Sequence, residues 1–321
     1  MKRIDWIDYA KGLGIILMVM GHYQYLNSDI NKWIFSFHMP LFFLISGFLT
    51  SSRNIECGKY IIKRFKLLFI PFFLFGFITY LLSFIVGKGY PIQEFILNIF
   101  NNRGAGMWFL HTLFLVNIIY LILYRLSKLK KFILWIILIV TSYFSSKYNI
   151  HLPLRAEVIP ICLSFFLLGD ILKPEILKLE KLNNYALYTF AILSLITNII
   201  LVSYSNRMDI AENRTGGYLF IITAITGIIP ILSLSLILAR LKSYCRYIKN
   251  ILKFCSINAI IILIFHPYIF SFINKSFVSL GHNPDSIIAH FCVIIAEFSI
   301  LYPLVKIINK YLPFLLGKWY R

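Results

Sequence analysis

The chain has 321 residues, 59% hydrophobic and 14% charged, with 30 Phe, 20 Tyr and a mean hydropathy of +0.78. That composition is not that of a soluble domain; it is that of a polytopic, all-α membrane protein. The formal charge of +19 does not indicate a nucleic-acid partner, because the basic residues alternate with apolar runs instead of forming one stripe.

Ten apolar segments have roughly the 17–25 residues that a bilayer requires. They lie at 8–26, 33–50, 64–86, 107–125, 132–145, 157–172, 185–204, 217–239, 255–273 and 287–306. If the N-terminus is cytoplasmic, 24 of the 32 Lys and Arg fall in inner loops and 8 in outer loops. By the positive-inside rule, ten spans with both termini cytoplasmic follow. No small-residue cleavage site follows the first segment, so no cleavable signal is expected. One integral-membrane domain over 1–321, with a core of about 3–310, is expected. The five cysteines (Cys57, Cys162, Cys245, Cys255, Cys292) have no paired spacing, so neither a disulfide nor a metal site is expected.

In the first segment, Arg3 to Leu26, ten residues separate Lys11 from His22. Eleven helical steps of about 100° bring both onto one face, about 16 Å apart along the axis. Ionisable groups in a span are costly and face a protein interior or a wet cavity. Lys11 also fits a lysine snorkelling to the inner interface beside Trp6, Asp8 and Tyr9, and His22 an interfacial histidine at the outer end.

The second segment contains FHMPLFFLISGFL: His38 in its outer half, Pro40 to kink it, and the small pair Ser46-Gly47 in its inner half. That pair fits close helix packing or the approach of a slim ligand. Lys63, Arg64 and Lys66 then sit at the inner mouth of the third segment, with Pro71 one turn deeper. The cluster suits an anionic, phosphate-bearing ligand entering from the cytoplasm, and equally topology charge or lipid headgroups. Tyr90 to Asn101 reads as an outer interfacial helix, with Ile92, Phe95, Ile96 and Ile99 on one side. Asn213-Arg214-Thr215 and Asn274-Lys275-Ser276 match the glycosylation sequon.

Lys11-x10-His22, FHMPLFFLISGFL and KRFKLLFIP are followed in order by Met107-Trp108-Phe109-Leu110, Phe165-Phe166-Leu167-Leu168-Gly169-Asp170 and Phe265-His266-Pro267. Together these resemble the membrane-bound acyltransferase 3 family, and within it the standalone O-acetylases that include fucose 4-O-acetylase-like proteins. The resemblance runs from about residue 3 to 310. It implies transfer of an acetyl group from cytoplasmic acetyl-CoA to a hydroxyl of a surface glycan or its lipid-linked precursor, in the plasma (inner) membrane. The family motif in the first helix is typically Arg-x10-His; Lys11 keeps the charge but not the bidentate geometry. On this reading the acetyl-CoA head docks on Lys63, Arg64 and Lys66. Its thin arm passes Lys11 and Ser46, and His22 acts as general base or transient acyl carrier. His38, Trp108, His111 and the pair Arg155 and Glu157 are placed near the acceptor. Glu297, the least expected charge in its span, is expected to pair with a buried His or Lys. Asp170 is expected to be a structural partner of a basic residue.

A secondary transporter or lipid-linked-sugar flippase would share the spans and sparse charges, but internal repeats or paired broken helices are not evident. An envelope glycan polymerase or ligase would need larger outer loops than the roughly 20 residues of Gly87 to Gly106. A non-catalytic scaffold leaves the ordered polar motifs unexplained.

Overall fold

A computed structural model describes residues 4–23, 27–50, 55–85, 89–100, 107–241, 245–279 and 287–318. Leu26, Asn101, His282 and seven of the basic residues in the charge count (Lys2, Arg3, Arg53, Lys88, Arg103, Lys242 and Arg321) lie outside the described residues. The fold is all-helical, with one isolated bridge, Asp209 to Arg214, among the described residues. In chain order the helices are α1 (Asp5–Gly21), α2 (Ser28–Phe35), α3 (His38–Thr50), α4 (Cys57–Arg64), α5 (Ile70–Ile85), α6 (Ile92–Phe100), α7 (Trp108–Leu123) and α8 (Lys128–Lys147). They continue as α9 (Ile159–Ile171), α10 (Lys173–Leu179), α11 (Asn184–Ser203), α12 (Phe220–Arg240), α13 (Arg246–Ile257), α14 (Ala259–Ser279) and α15 (Ile287–Tyr311).

The described part of each of the ten expected segments falls mainly on helix. Among the described residues, six stretches are long and apolar enough to cross a bilayer: Ser28–Thr50, Lys128–Lys147, Asn184–Ser203, Phe220–Arg240, Ala259–Ser276 and Ala289–Tyr311. The helices α8 and α11 present Ile133, Ile136, Ile137 and Val140, and Leu193, Ile196, Ile199 and Ile200, to the outside. An apolar surface of that extent is stable against lipid, not water.

The limits of several segments shift for identifiable reasons. The helix α1 ends at Gly21, with His22 as its cap in right-handed helical geometry, so the His22 side chain keeps the helical register. The second segment is two helices. The chain resets at Ser36 and Phe37, and Pro40 sits in the first turn of α3, where its missing N–H is tolerated. Between α4 and α5, residues Phe65–Phe69 form a π-helical turn, and the Ile70 N–H bonds to the Phe65 carbonyl, five residues back. Pro71, one residue on, cannot hydrogen-bond four residues back and crowds that carbonyl, which accounts for the widened turn. The amphipathic helix α13 was not foreseen; the ninth segment was expected to begin at 255, but α14 begins at Ala259.

Two helices occupy the centre. The helix α1 contributes Ile15, Met18 and Val19 to the larger apolar cluster and Trp6, Ile7 and Ala10 to a second. Likewise α3 divides Met39, Phe42 and Phe43 from Leu41, Leu44 and Phe48. Helices apolar all round must be covered all round. Two glycine contacts let the backbones approach. A Cβ at Gly47 would collide with the Phe166 carbonyl of α9, and one at Gly169 with the Leu44 carbonyl of α3. The two sequence motifs thus pack on each other, and helix packing accounts for Gly47. A Cβ at Gly12 would likewise strike Leu252 of α13. The helix α13 is also tied to α1 by Ser256 donating to Asp8 (3.0 Å) and by Lys253 against Asp5 (3.0 Å).

Candidate active site

At one end of the bundle three histidines from three helices converge. The His22 ring centroid lies 5.0 Å from that of His266 and 6.3 Å from that of His38. Each is oriented by a backbone carbonyl three or four residues before it in the chain. His22 Nδ1 bonds to the Met18 carbonyl (2.8 Å) at the end of α1. His38 Nδ1 bonds to the Ile34 carbonyl (2.9 Å) at the α2–α3 reset. Pro267 has no N–H to give the Leu263 carbonyl, and His266 Nδ1 takes that place at 2.9 Å, with Ile262 at 3.1 Å. A carbonyl only accepts, so Nδ1 is the donor in all three rings. In the neutral imidazole Nε2 then carries the lone pair. The cluster therefore offers three proton acceptors and suits a ligand that brings donors, such as hydroxyls.

The three rings line an enclosed cavity of about 220 Å³ together with Met39, Trp108 and Asp209. His38 and His266 are buried, and His266 Nε2 has no partner among the described residues. His22 is exposed and also lines a second, open cavity of about 690 Å³ with Asp29, Asn31, Lys32, Phe35 and Arg207. Its ring and that of Phe35 line both the open and the enclosed space.

A polar loop closes over this end. Asp209 N–H donates to the Arg214 carbonyl (2.8 Å), and Arg214 N–H back to the Asp209 carbonyl (2.9 Å). Asn213, in left-handed geometry, sends its amide into the end of α8, donating to the carbonyls of Ser145 (3.2 Å) and Ile150 (3.0 Å). That amide nitrogen is buried and engaged, so the Asn213 sequon is not an accessible acceptor for glycan. The loop carries Arg207, stacked 3.8 Å over the Phe35 ring and paired with Asp209 at 3.1 Å. Burial raises the Asp209 carboxyl above its ordinary range, and the Arg207 guanidinium opposes that rise. Sequence reasoning missed both. The available signal was a run of polar residues and two glycines, Ser205 to Gly217, in a chain otherwise short of polar stretches.

Of the residues expected at the site, the structure brings together His22, His38 and Trp108, and adds His266. Arg155 stands next door, in a cavity of about 510 Å³ with His151, Glu157 and Glu212 that shares only Ala211 with the enclosed one. Arg155 reaches Glu212 at 3.7 Å, and Glu157 accepts from the Leu152 N–H at 3.0 Å, so these charges brace the two loops. His111 packs on Phe72, with ring centroids 5.4 Å apart. Glu297 is buried in α15 and lines neither histidine cavity; the expected ion pair is not found among the described residues, and its Oε1 has no hydrogen-bond partner there.

The remaining expected residues lie toward the opposite end. Lys11 is half-buried and meets Asp8 at 3.5 Å. Ser46 turns its hydroxyl back to the Phe42 carbonyl at 2.7 Å. Lys63 and Lys66 are exposed. Arg64 is fixed: its Nη2 donates to Thr50 (3.0 Å), its guanidinium lies 4.8 Å from the Tyr60 ring centroid, and Tyr60 donates to Asn117 of α7. Asp170 is bound by Lys131 of α8 at 2.6 Å, the structural role expected for it. No group of three or more potential metal ligands occurs among the described residues.

A family model described as an acyltransferase domain matches residues 4–305. No curated protein and no solved structure matches the chain.

Proposed function

The chain belongs to the acyltransferase 3 family and is a membrane acyltransferase, and we propose that it moves an acetyl group from cytoplasmic acetyl-CoA to a hydroxyl of a cell-surface glycan or its lipid-linked precursor. In this reading the ten apolar segments all cross the plasma membrane, both termini are cytoplasmic, and the histidine end faces outward. The charge distribution of the loops supports that orientation. The observation that carries the chemistry is the position of His22, shared by an open and an enclosed cavity, with Nδ1 tied to a carbonyl and Nε2 left as acceptor.

The acceptor sugar enters the open cavity between α2 and the Arg207 loop, where Asp29, Asn31 and Lys32 offer hydroxyl partners. His22 Nε2 takes the proton of the acceptor hydroxyl as its oxygen attacks the thioester carbonyl. The carbon–sulfur bond breaks, and the proton passes from the imidazolium to the departing thiolate. In the alternative route, Nε2 first takes the acetyl group from sulfur and then passes it to the hydroxyl. Trp108 and His38 close the far wall around the acetyl group. At the cytoplasmic end, Lys63 and Lys66 meet the coenzyme phosphates beside Arg64, which its hydrogen bond to Thr50 and its contact with the Tyr60 ring pre-orient. Lys11 and Ser46 flank the route of the pantetheine arm; Arg155 and Glu297 take supporting parts, Arg155 by holding the loop at the acceptor side. Membrane lipid surrounds the bundle.

The test is transfer of label from acetyl-CoA to surface or lipid-linked glycan in membranes carrying wild type or His22→Ala. General-base catalysis is worth about 10²–10⁴-fold, and a loss of that size with the protein still inserted is expected. Label that survives the substitution removes His22 from the chemistry. No label with any acceptor favours a transporter.

A further inference from the structure

At the end opposite His22, a cavity of about 670 Å³ opens between the last turns of α7 and α9, the first turn of α8, and α10. Arg125, Lys128, Lys131 and Lys173 line it, with Asp170 the single carboxylate and Tyr120 beside it. Lys131 and Asp170 satisfy each other at 2.6 Å, with side chains only 12% and 8% exposed. The pair is neutral together, so the remaining charge of the lining is that of Arg125, Lys128 and Lys173. Lys128 meets Glu175 at 3.5 Å, but both side chains are well exposed, and such pairs hold weakly against solvent. Arg125 spends its Nε on the hydroxyl of the adjacent Tyr124 (2.7 Å) and has no ion pair among the described residues.

Stability does not account for this arrangement. The first turn of α8 holds Lys128, Lys130 and Lys131 and no acid, although a helix N-terminus favours anions and repels cations. Lys173 is half-buried against Phe48, and burial pushes its ammonium below its ordinary range while Asp170 opposes the shift. Cations held at a cost around one cavity are the complement of an anion. The size falls within the roughly 300–1,000 Å³ of small-molecule sites, too large for a halide and ample for a phosphate ester. Arg64 and Lys63 do not line it.

We propose that this cavity is a second anion site, which binds a phosphate-bearing molecule through Arg125, Lys128 and Lys173. Phosphate esters reach this side from two sources, the headgroups of anionic phospholipids and the phosphates of the coenzyme. The assignment stands apart from the chemistry at His22 and does not depend on it.

Two measurements on the full chain test it. First, amine-reactive labelling of Lys128 and Lys173 is followed by mass spectrometry on wild type in phosphatidylcholine nanodiscs. Coenzyme A, or phosphatidylglycerol added to the lipid, slows labelling of both lysines several-fold if the cavity is occupied. Second, Arg125→Gln/Lys128→Gln/Lys173→Gln is compared with wild type for coenzyme A affinity and for phosphatidylglycerol retained in native mass spectrometry. Lys131 is left in place so that Asp170 keeps its partner. Charge-assisted contacts of this number predict a loss of at least about tenfold in one of the two affinities. Loss for coenzyme A alone identifies the coenzyme phosphates; loss of retained lipid alone identifies the headgroup. Unchanged labelling with both probes, or a variant that binds both like wild type, overturns the site. Since transfer activity is read in neither measurement, an inactive enzyme leaves the result intact.

Discussion

Three histidine side chains meet at the His22 end, and each is held through Nδ1 by a nearby backbone carbonyl. Pro267 leaves the Leu263 carbonyl without an N–H for the His266 Nδ1, whereas the Met18 and Ile34 carbonyls accept an imidazole Nδ1 in addition to a backbone N–H. Orientation thus comes from the backbone four or fewer residues away, and only convergence comes from the fold. Pro267→Ala therefore returns an N–H to compete for the Leu263 carbonyl. Transfer should fall about tenfold or more as His266 loses its fixed tautomer, while insertion is kept; an unchanged rate would show that His266 orientation is irrelevant. Arg207 and Asp209 make a second prediction. Burial raises the Asp209 carboxyl and Arg207 lowers it, so Arg207→Gln removes the opposing effect and the carboxyl rises further. If the Asp209 charge serves transfer, the acid limb of the rate profile moves to higher pH in Arg207→Gln and vanishes in Asp209→Asn. A profile unmoved by both substitutions would leave the loop without an electrostatic role.

Among the elements, the α3–α9 contact is the most demanding, because each helix offers a glycine to the other's carbonyl. Gly47→Leu or Gly169→Leu forces the backbones apart along a fully buried seam. A loss of at least about 3 kcal/mol, or failure to accumulate in the membrane, is expected from overpacking of this kind. Normal accumulation and melting of both variants would contradict the geometry. The α8–α9 contact rests on the Lys131–Asp170 pair. Asp170→Asn strands a buried ammonium and should cost about 3–5 kcal/mol, whereas Lys131→Met with Asp170→Leu should cost less, because no charge is left without its partner. Thermal melting in detergent distinguishes the two. The wide turn at Phe65–Phe69 belongs to this scale as well: it sets the angle at which Lys66 leaves the helix, and Pro71 enforces it.

For the whole molecule, the testable quantity is which end faces the cytoplasm. Cys57 is exposed at the start of α4, and Cys245 is half-exposed before α13, both at the end away from His22. A membrane-impermeant maleimide should label them only after permeabilisation. Labelling in intact cells would invert the protein and place the histidines inside. Cys292, on α15, faces outward from the bundle and is expected to stay unlabelled in either state, since the reagent does not enter lipid.

The amino-acid sequence by itself determined the class, the order of the apolar segments and the residue types available for chemistry, because hydropathy and helical spacing are local properties. His22, His38 and Trp108 were legible since each is a polar or amphipathic group at the end of an apolar run. The ends of helices were less so: α13 carries an amphipathic pattern, but its seat on α1 and the start of α14 at Ala259 depend on packing that no local pattern records. Only the tertiary structure decided that His266 joins His22 and His38, that the Arg207–Asp209 loop covers them, and that Glu297 does not. Those facts rest on contacts between residues far apart in the chain. Periodicity tells which face of a helix is buried, but not which helix it will meet.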